Sequence, residues 1–569
     1  MRYLLVFSIL IVIGCSVDRT PVADLVIQGA QIVTINQAQP HAEAIAIRGG
    51  IILAVGSDDE IEKYRGSGTQ VIDGNQNFVM PGFIESHGHF SGLGTSLQNL
   101  NFLRSRSWEE IVTMVGEKVL DSDKGDWIIG RGWHQEKWVR VPEKNIHGYP
   151  FHDELSEVSP DNPVLLFHAS GHAAFANRAA MEASGINRET ASPAGGEIVR
   201  DQSGDAIGVF EERAQNLIRR AYQEYLDGLT EEEKSKMWYE GIELATTECL
   251  MKGITSFQDA GSSLEWIDRY KGLAEEGKLD LRLWIMIRHS AEYLRDKLAS
   301  FPWIGVGGNW LTVRSIKSEV DGALGSFGAW LLEPYADRPG FIGQNTTEVS
   351  QVAAIAELAY KHSLQLCVHA IGDRANKEVL DIYESKYGQN ANQDLRWRIE
   401  HAQHLDTTDI PRFGQMGVIA AMQGIHCTSD APFVERRLGP ARSKYGAYPW
   451  KSLHRTGAVI CNGTDAPVED VDPIESFYAT VSRKRADNGF EFYPEQALTR
   501  EEALHSYTLA GAYAAFEEDI KGSLEVGKLA DIVILSNNLL TCSEENILET
   551  EVLMTIVDGE VKFQREEIK

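Results

Sequence analysis

The sequence predicts a parallel α/β architecture, a barrel core carrying a small β-unit built from both chain ends. Three observations point to it. Short β-like stretches crowd both termini; apolar runs of strand length alternate with amphipathic helical stretches between them; and ionisable residues recur at the C-terminal ends of several of those runs. In a (β/α)8 barrel that end is the face on which active sites are built, whereas a purely structural core would place aliphatics there. The 569 residues, 43% hydrophobic and 24% charged, can fill a large core and are not those of a disordered chain.

Taken in order, the chain begins with MRYLLVFSILIVIG, one positive charge at Arg2 followed by an apolar stretch from Tyr3 to Ile13. That stretch is too short to span a bilayer and has the length of a signal-peptide h-region. It ends in Val12-Ile13-Gly14-Cys15, which resembles the lipobox of bacterial lipoproteins. The resemblance implies that residues 1–14 are removed and that Cys15 becomes the lipidated first residue. Ser16 in place of Asp then implies release toward the outer membrane, so export with a lipid anchor in the cell envelope is the expected localisation.

From residue 23 to about residue 80 the texture is β: DLVIQGAQIVTI, AEAIAIRGGIILAVG and QVIDGNQNFVMPG alternate and turn on glycine. GSLEVGKLADIVILS and EVLMTIVDGEVKFQ, within 515–569, share that texture, and the two flanks are expected to pair as one β domain. Between them, across 81–510, GITSFQDA follows the helical IELATTECLMK, LQLCVHAIGD follows VSQVAAIAELAYKH, and GAVICNGTDAP follows a loop. This is β/α alternation. Segment 121–250 is longer than one β/α unit requires and is expected to hold insertions.

Charge and cysteine content narrow the function classes. With 54 Lys+Arg against 83 Asp+Glu the chain carries a formal −29 and no basic patch, which excludes a nucleic-acid partner. Beyond Cys15 the cysteines are Cys249, Cys367, Cys427, Cys461 and Cys542, with no CxxC pair. They indicate neither a zinc knuckle nor a disulfide framework, and most read as small buried hydrophobes.

The pair His87-Gly88-His89 opens the chemistry. Side chains repeat with period two on an extended strand end, so both imidazoles point to one side and could reach one cation at ~2.0–2.1 Å. Alone, the pair fits a ligand pair or two hydrogen-bonded loop histidines. Its setting, Pro81-Gly82-Phe83-Ile84-Glu85-Ser86-His87-Gly88-His89, resembles the PGFID-x-H-x-H signature of the amidohydrolase superfamily, with Glu85 where Asp is usual. Lys317 and Asp321 in SIKSEVDG resemble the K-x-x-x-D-G segment of the branch called amidohydrolase family 3, or YtcJ-like. His369 in VHAIGDRAN, His401 in RIEHAQ and Asp465 in GTDAPV resemble its H-A-x-G-D-x-A, R-x-E-H-A-Q and G-[ST]-D-x-P motifs. GHAAFANRAAM and GGEIVRDQSGDAIGVFEERA also look like that branch, so the resemblance runs in order over nearly the whole mature chain.

The resemblance implies a distorted (β/α)8 TIM barrel with a small β-sandwich-like domain formed from both chain ends. It also implies a metal-dependent hydrolase acting on carbon–nitrogen bonds other than peptide bonds, with a small-molecule substrate. The implied ligands are His87, His89, Lys317, His369, His401 and Asp465, a donor set suited to one or two divalent metals, chiefly Zn²⁺. Such a metal lowers the pKa of bound water to ~7 and polarises a carbonyl. Asp465 would take the proton of the attacking hydroxide and return it to the leaving nitrogen. Lys317 matches a lysine that becomes a carbamate bridging two metals; its alternative is an ion pair with Glu319 or Asp321.

Weaker expectations surround this set. His172, Asp373 and Arg374 are candidates for substrate contact or for orienting ligands. His404 lies three residues past His401, but the motif selects His401; His134, His426 and the other histidines read as surface or core. Trp133 and Trp138 in GRGWHQEKW resemble a family loop near the substrate mouth, with His134 where an acidic residue is usual. Two alternatives stand beside amide hydrolysis: the same metal site acting on an ester, lactone or phosphoester, and a non-catalytic binding lipoprotein. The intact ligand set with Asp465 as proton carrier disfavours the last. A homodimer is the default oligomer.

Overall fold

Eight largely buried parallel strands make the path of the central sheet of the computed structural model, and a ninth, Trp303–Gly305, pairs antiparallel beside one of them. It describes residues 20–566 apart from 103–104, 136–137, 141, 169–172, 194–195, 326, 389–393 and the side chain at 212. The leader 1–14, Cys15 and His172 lie outside the described residues.

The eight strands are β1 (Phe83–Gly88), β2 (Ile254–Ser262), β3 (Arg282–Ile287), β4 (Leu311–Glu319), β5 (Gln365–Ala370), β6 (Arg398–His401), β7 (Ile419–Gln423) and β8 (Ile460–Gly463). Each pairs in parallel with the next, so all C-terminal ends share one face. The register aligns Glu319 with His369 and His369 with Glu400, which brings three site-bearing strand ends level.

The first and last strands are stitched together by polar groups. Asp465 N donates to His87 O at 2.8 Å, and the Glu85 carboxylate accepts from Thr464 N and Thr464 Oγ1, both at 2.9 Å. A Cβ on Gly463 would lie 2.1 Å from Glu85 Oε1, so only glycine permits this approach. The result is a nearly closed TIM-barrel-like sheet. Helices cover it with apolar stripes: Val349–Lys361 buries Val352, Ile355, Ala356 and Ala359, the i, i+3, i+4, i+7 pattern of a helix lying on a core.

The chain ends meet in one sheet. Phe78–Pro81 pairs antiparallel with Ile532–Leu535, Val79 opposite Ile534. A second sheet holds Leu25–Gln28 and Ala44–Arg48, and Leu25, Ile27, Ile45 and Ile47 share a core with Val79, Ile532, Ile534 and Ile556. Buried Arg282 at the start of β3 donates Nε to Asp531 Oδ2 at 2.7 Å beside that sheet. Among the described residues, those up to Gly88 and from Cys249 onward belong to the same compact unit as the barrel.

Residues His89–Glu248, which lie in sequence between β1 and β2, form a second compact unit. It has its own sheet, including Ile128–Trp133, Val164–His168, Ala173–Ala176 and Ala206–Glu212. The segment 121–250 expected to hold insertions overlaps most of this unit, which begins at the second histidine of the His-x-His pair. Trp133 and Trp138 pack with Trp108 and Phe175 in this unit's core.

Candidate metal centre

His87, His401 and Asp465 come together at the C-terminal face of the barrel. Each offers one ligand atom, these atoms lie within 4.8 Å of one another, and all three residues are buried. Their positions follow from the strands: His87 is on β1, His401 ends β6, and Asp465 lies two residues past β8. His401 and Asp465 adopt φ of 74° and 61°, left-handed values for non-glycine residues and a form of strain that gathers at functional sites.

The imidazoles are held by partners that set their tautomers. His87 Nδ1 meets the Glu400 carboxylate. Burial alone would push Glu400 up, but the Arg398 guanidinium and then His87 outweigh it and hold its pKa down at about 2. Glu400 is therefore an acceptor, Nδ1 carries the proton, and the His87 Nε2 lone pair faces Asp465 Oδ1 at 3.6 Å. His401 Nδ1 meets Gln423 Oε1 at 2.7 Å; Gln423 Nε2 donates to Ala421 O at 3.1 Å, which fixes the amide so that its oxygen faces the ring. His401 Nδ1 thus donates as well, leaving its Nε2 for a cation.

Two further residues expected at the site stand next to this trio. The His369 ring lies 4.4 Å from that of His401, and its Nε2 is buried without a hydrogen-bond partner among the described residues. Lys317 Nζ lies 3.5 Å from His87 Nε2, and burial lowers its pKa. Burial, and next the Lys317 charge, lower His87 to about 4 and His369 to about 3, so both imidazoles are neutral at pH 7 and able to coordinate. Asp321, the acidic partner considered for Lys317, instead accepts from Trp330 N, Ile371 N and Gly372 N at 2.8–2.9 Å. Glu319 pairs with Arg288. The donor set, neutral imidazoles with proton-bearing nitrogens tied away from a buried carboxylate, fits a divalent transition metal.

The remaining candidates have local settings of their own. His89, half-buried, opens the second unit and precedes the helix Phe90–Gln98. Asp373 pins a loop by accepting from Leu332 N at 2.8 Å, and the Arg374 guanidinium stacks 4.4 Å over Trp330. Sequence reading did not single out Glu400, Arg398 or Gln423, and it read His426 as a surface or core histidine. Glu400 and Arg398 lie inside the quoted RIEH motif, and that position was the available signal.

Residues 70–563 match the amidohydrolase family. The putative amidohydrolase YtcJ of Bacillus subtilis (strain 168) is 30% identical over 94% of this chain and 99% of its own length. The N-substituted formamide deformylase of Arthrobacter pascens is 27% identical over 96% of this chain and 99% of its own. Among solved structures, an uncharacterised metal-dependent hydrolase from Pyrococcus horikoshii OT3 superposes with a TM-score of 0.71 at 27% identity, covering 91% of this chain and 99% of that one.

Proposed function

This chain belongs to the amidohydrolase family and is a hydrolase acting on carbon–nitrogen bonds, and from that premise we propose that it cleaves a non-peptide, amide-like bond of a small molecule. The observation that carries the reading is the buried trio His87, His401 and Asp465 with its two tautomer-fixing partners, Glu400 and Gln423. Within the barrel unit, His87, His401 and Asp465 would hold a divalent metal, zinc by the donor chemistry, with His369 and Lys317 beside them. When bound, that metal supplies a Lewis acid that activates water and polarises a carbonyl.

The chain's own residues do the rest. Asp465, a carboxylate within the trio, takes the proton of the attacking water and passes it to the leaving nitrogen. Glu400 and Gln423 keep the imidazoles from rotating, so no reorganisation is needed as charge develops. Lys317, desolvated and with a lowered pKa, is the form of lysine that reacts with CO₂; as a carbamate it would add an anionic ligand and make room for a second metal. The non-catalytic reading is set aside on the family.

The test is turnover by the metal-loaded mature chain on N-substituted formamides and small amides, set against the matching esters, lactones and phosphoesters. Amide cleavage that Asp465→Asn abolishes is the expected result. Activity confined to the oxygen esters would overturn the amide reading. We further propose export and a lipid anchor at Cys15, on the apolar leader and its Gly-Cys end. Cys15→Ala should release the protein from membranes, and continued retention would contradict the anchor.

A further inference from the structure

Beyond the trio, β7 delivers a second group to the same end of the barrel. The chain leaves Gln423 directly into the short helix Gly424–Ser429, which carries His426. That helix is pinned. Gly424 N donates to Asn462 Oδ1 at 2.8 Å, and Ile425 N donates to Ser476 Oγ at 3.1 Å. A Cβ at Gly424 would lie 2.3 Å from Thr480 Oγ1 and 2.5 Å from Ser476 O, so the helix can start this close to its neighbour only with glycine there.

The result is a fixed ring. His426 is buried, and its plane lies 20° from that of His401 with centroids 6.2 Å apart. Its Nδ1 meets Gln403 Nε2 at 3.0 Å. An amide –NH₂ can only donate, so Nδ1 is the acceptor and the ring proton sits on Nε2. Gln403, two residues past His401, is itself buried, and its backbone carbonyl accepts Tyr448 N at 2.6 Å, which anchors the main chain that carries the partner. His426 Nε2 is buried with no hydrogen-bond partner among the described residues. With Gln403 Nε2 as the donor to Nδ1, the buried ring presents its Nε2–H with its centroid 6.2 Å from that of the candidate ligand His401. Buried donors are rarely left unpaired, and those that are call for a functional explanation.

We propose that His426 is a substrate-contacting residue: its Nε2–H donates a hydrogen bond to the carbonyl oxygen of the bound amide and strengthens as that oxygen becomes an oxyanion. The inference rests on the amide-hydrolysis reading for its substrate and on the His426 geometry for its donor. Gln403 is the positioning residue that keeps the proton on Nε2. No group is transferred in this contact; water adds to the carbonyl carbon, the C–N bond breaks, and the proton route through Asp465 is unchanged.

The experiment compares the zinc-loaded mature chain with its His426→Leu and His426→Asn variants, in metal content, in turnover of N-substituted formamides, and in calorimetric affinity for methylphosphonate. That probe is a tetrahedral oxyanion with no C–N bond, so its binding does not depend on amide chemistry. Expected for His426→Leu are wild-type metal content, a kcat lowered about 10²–10³-fold with a smaller change in KM, and methylphosphonate affinity lowered at least about 10-fold. His426→Asn, which keeps a donor, should recover part of both losses. Unchanged kcat and affinity in His426→Leu, including no probe binding in either protein, would overturn the proposal. Metal loss in both variants would overturn it in favour of His426 as a ligand. Lowered probe affinity without formamide turnover by the wild type would support the donor and overturn the amide reading.

Discussion

Exchanging Glu400 for Gln keeps its shape and removes one charge from a chain of buried groups. Arg398 donates Nε to Glu400 Oε1 at 2.7 Å and Nη2 to Oε2 at 3.0 Å, while His87 Nδ1 meets the same Oε2. All three side chains are 0% exposed. Gln offers one oxygen and one –NH₂, so either the guanidinium or the imidazole loses its acceptor, and Arg398 is left as an uncompensated buried cation. Breaking a buried pair in this way costs about 3–5 kcal/mol. For a cooperative unit of several hundred residues the melting temperature moves about 1 °C per kcal/mol, so metal-free Glu400→Gln should melt about 3–5 °C lower by scanning calorimetry. A second effect is separable. Losing the carboxylate behind His87, a candidate metal ligand, should weaken metal affinity by about 10–100-fold, read by zinc titration against a competing chelator. The double variant Arg398→Met with Glu400→Gln removes both charges and should recover most of the thermal loss, because neither ion is left unpaired. It should not recover the metal affinity. A single variant that melts and binds zinc like the wild type, or a double variant that regains the affinity, would refute the reasoning.

Asp465→Asn should keep the fold and most of the metal while kcat falls about 10²–10⁴-fold, since an amide cannot carry the proton; near-wild-type turnover would remove that role. Lys317→Ala should lose activity that short carboxylic acids partly restore if the lysine is carboxylated, and an unmodified amine in a high-resolution map of active, metal-loaded enzyme would count against it. His404 supplies a pH test away from the trio: burial lowers its pKa to about 3, and its ring stands edge-on to Tyr448 at 5.3 Å. Its unfolded value is about 6.5, so below that pH the unfolded chain takes up a proton that the folded chain refuses, and stability falls by up to about 1.4 kcal/mol per pH unit until about pH 3. His404→Phe should therefore gain on the wild type as pH drops below 6.5, and a pH-independent difference between the two would contradict the burial argument.

The trio His87, His401 and Asp465 that the structure brings together as a candidate site was legible because of where the strands end. In a sheet buried on both faces there is little structural use for a histidine or lysine, so His87, Lys317, His369 and His401 stood out against their apolar runs, and Asp465 just past one. Glu400 was hidden in plain view. Its partner His87 lies on β1, not a neighbour of β6 in the sheet, and linear spacing does not encode contacts across a barrel. Gln423 and His426 had no signal of ligand type, since neither falls into a metal-like spacing; their roles depend on the tilt of one pinned helix and on the direction of one amide. The compact unit His89–Glu248 was read only as insertions within 121–250, because its strands and helices alternate as the barrel's do and nothing in local periodicity tells one sheet from the other.

The most direct test of the account is the metal content of the chain from residue 16 onward, purified with bicarbonate and without chelators and counted by mass spectrometry against protein concentration. The account predicts one or two tightly held zinc-like ions per chain, lost together with activity in His87→Ala and His401→Ala. A chain that stays metal-free and folded after reconstitution, or variants that keep the wild-type content, would contradict it.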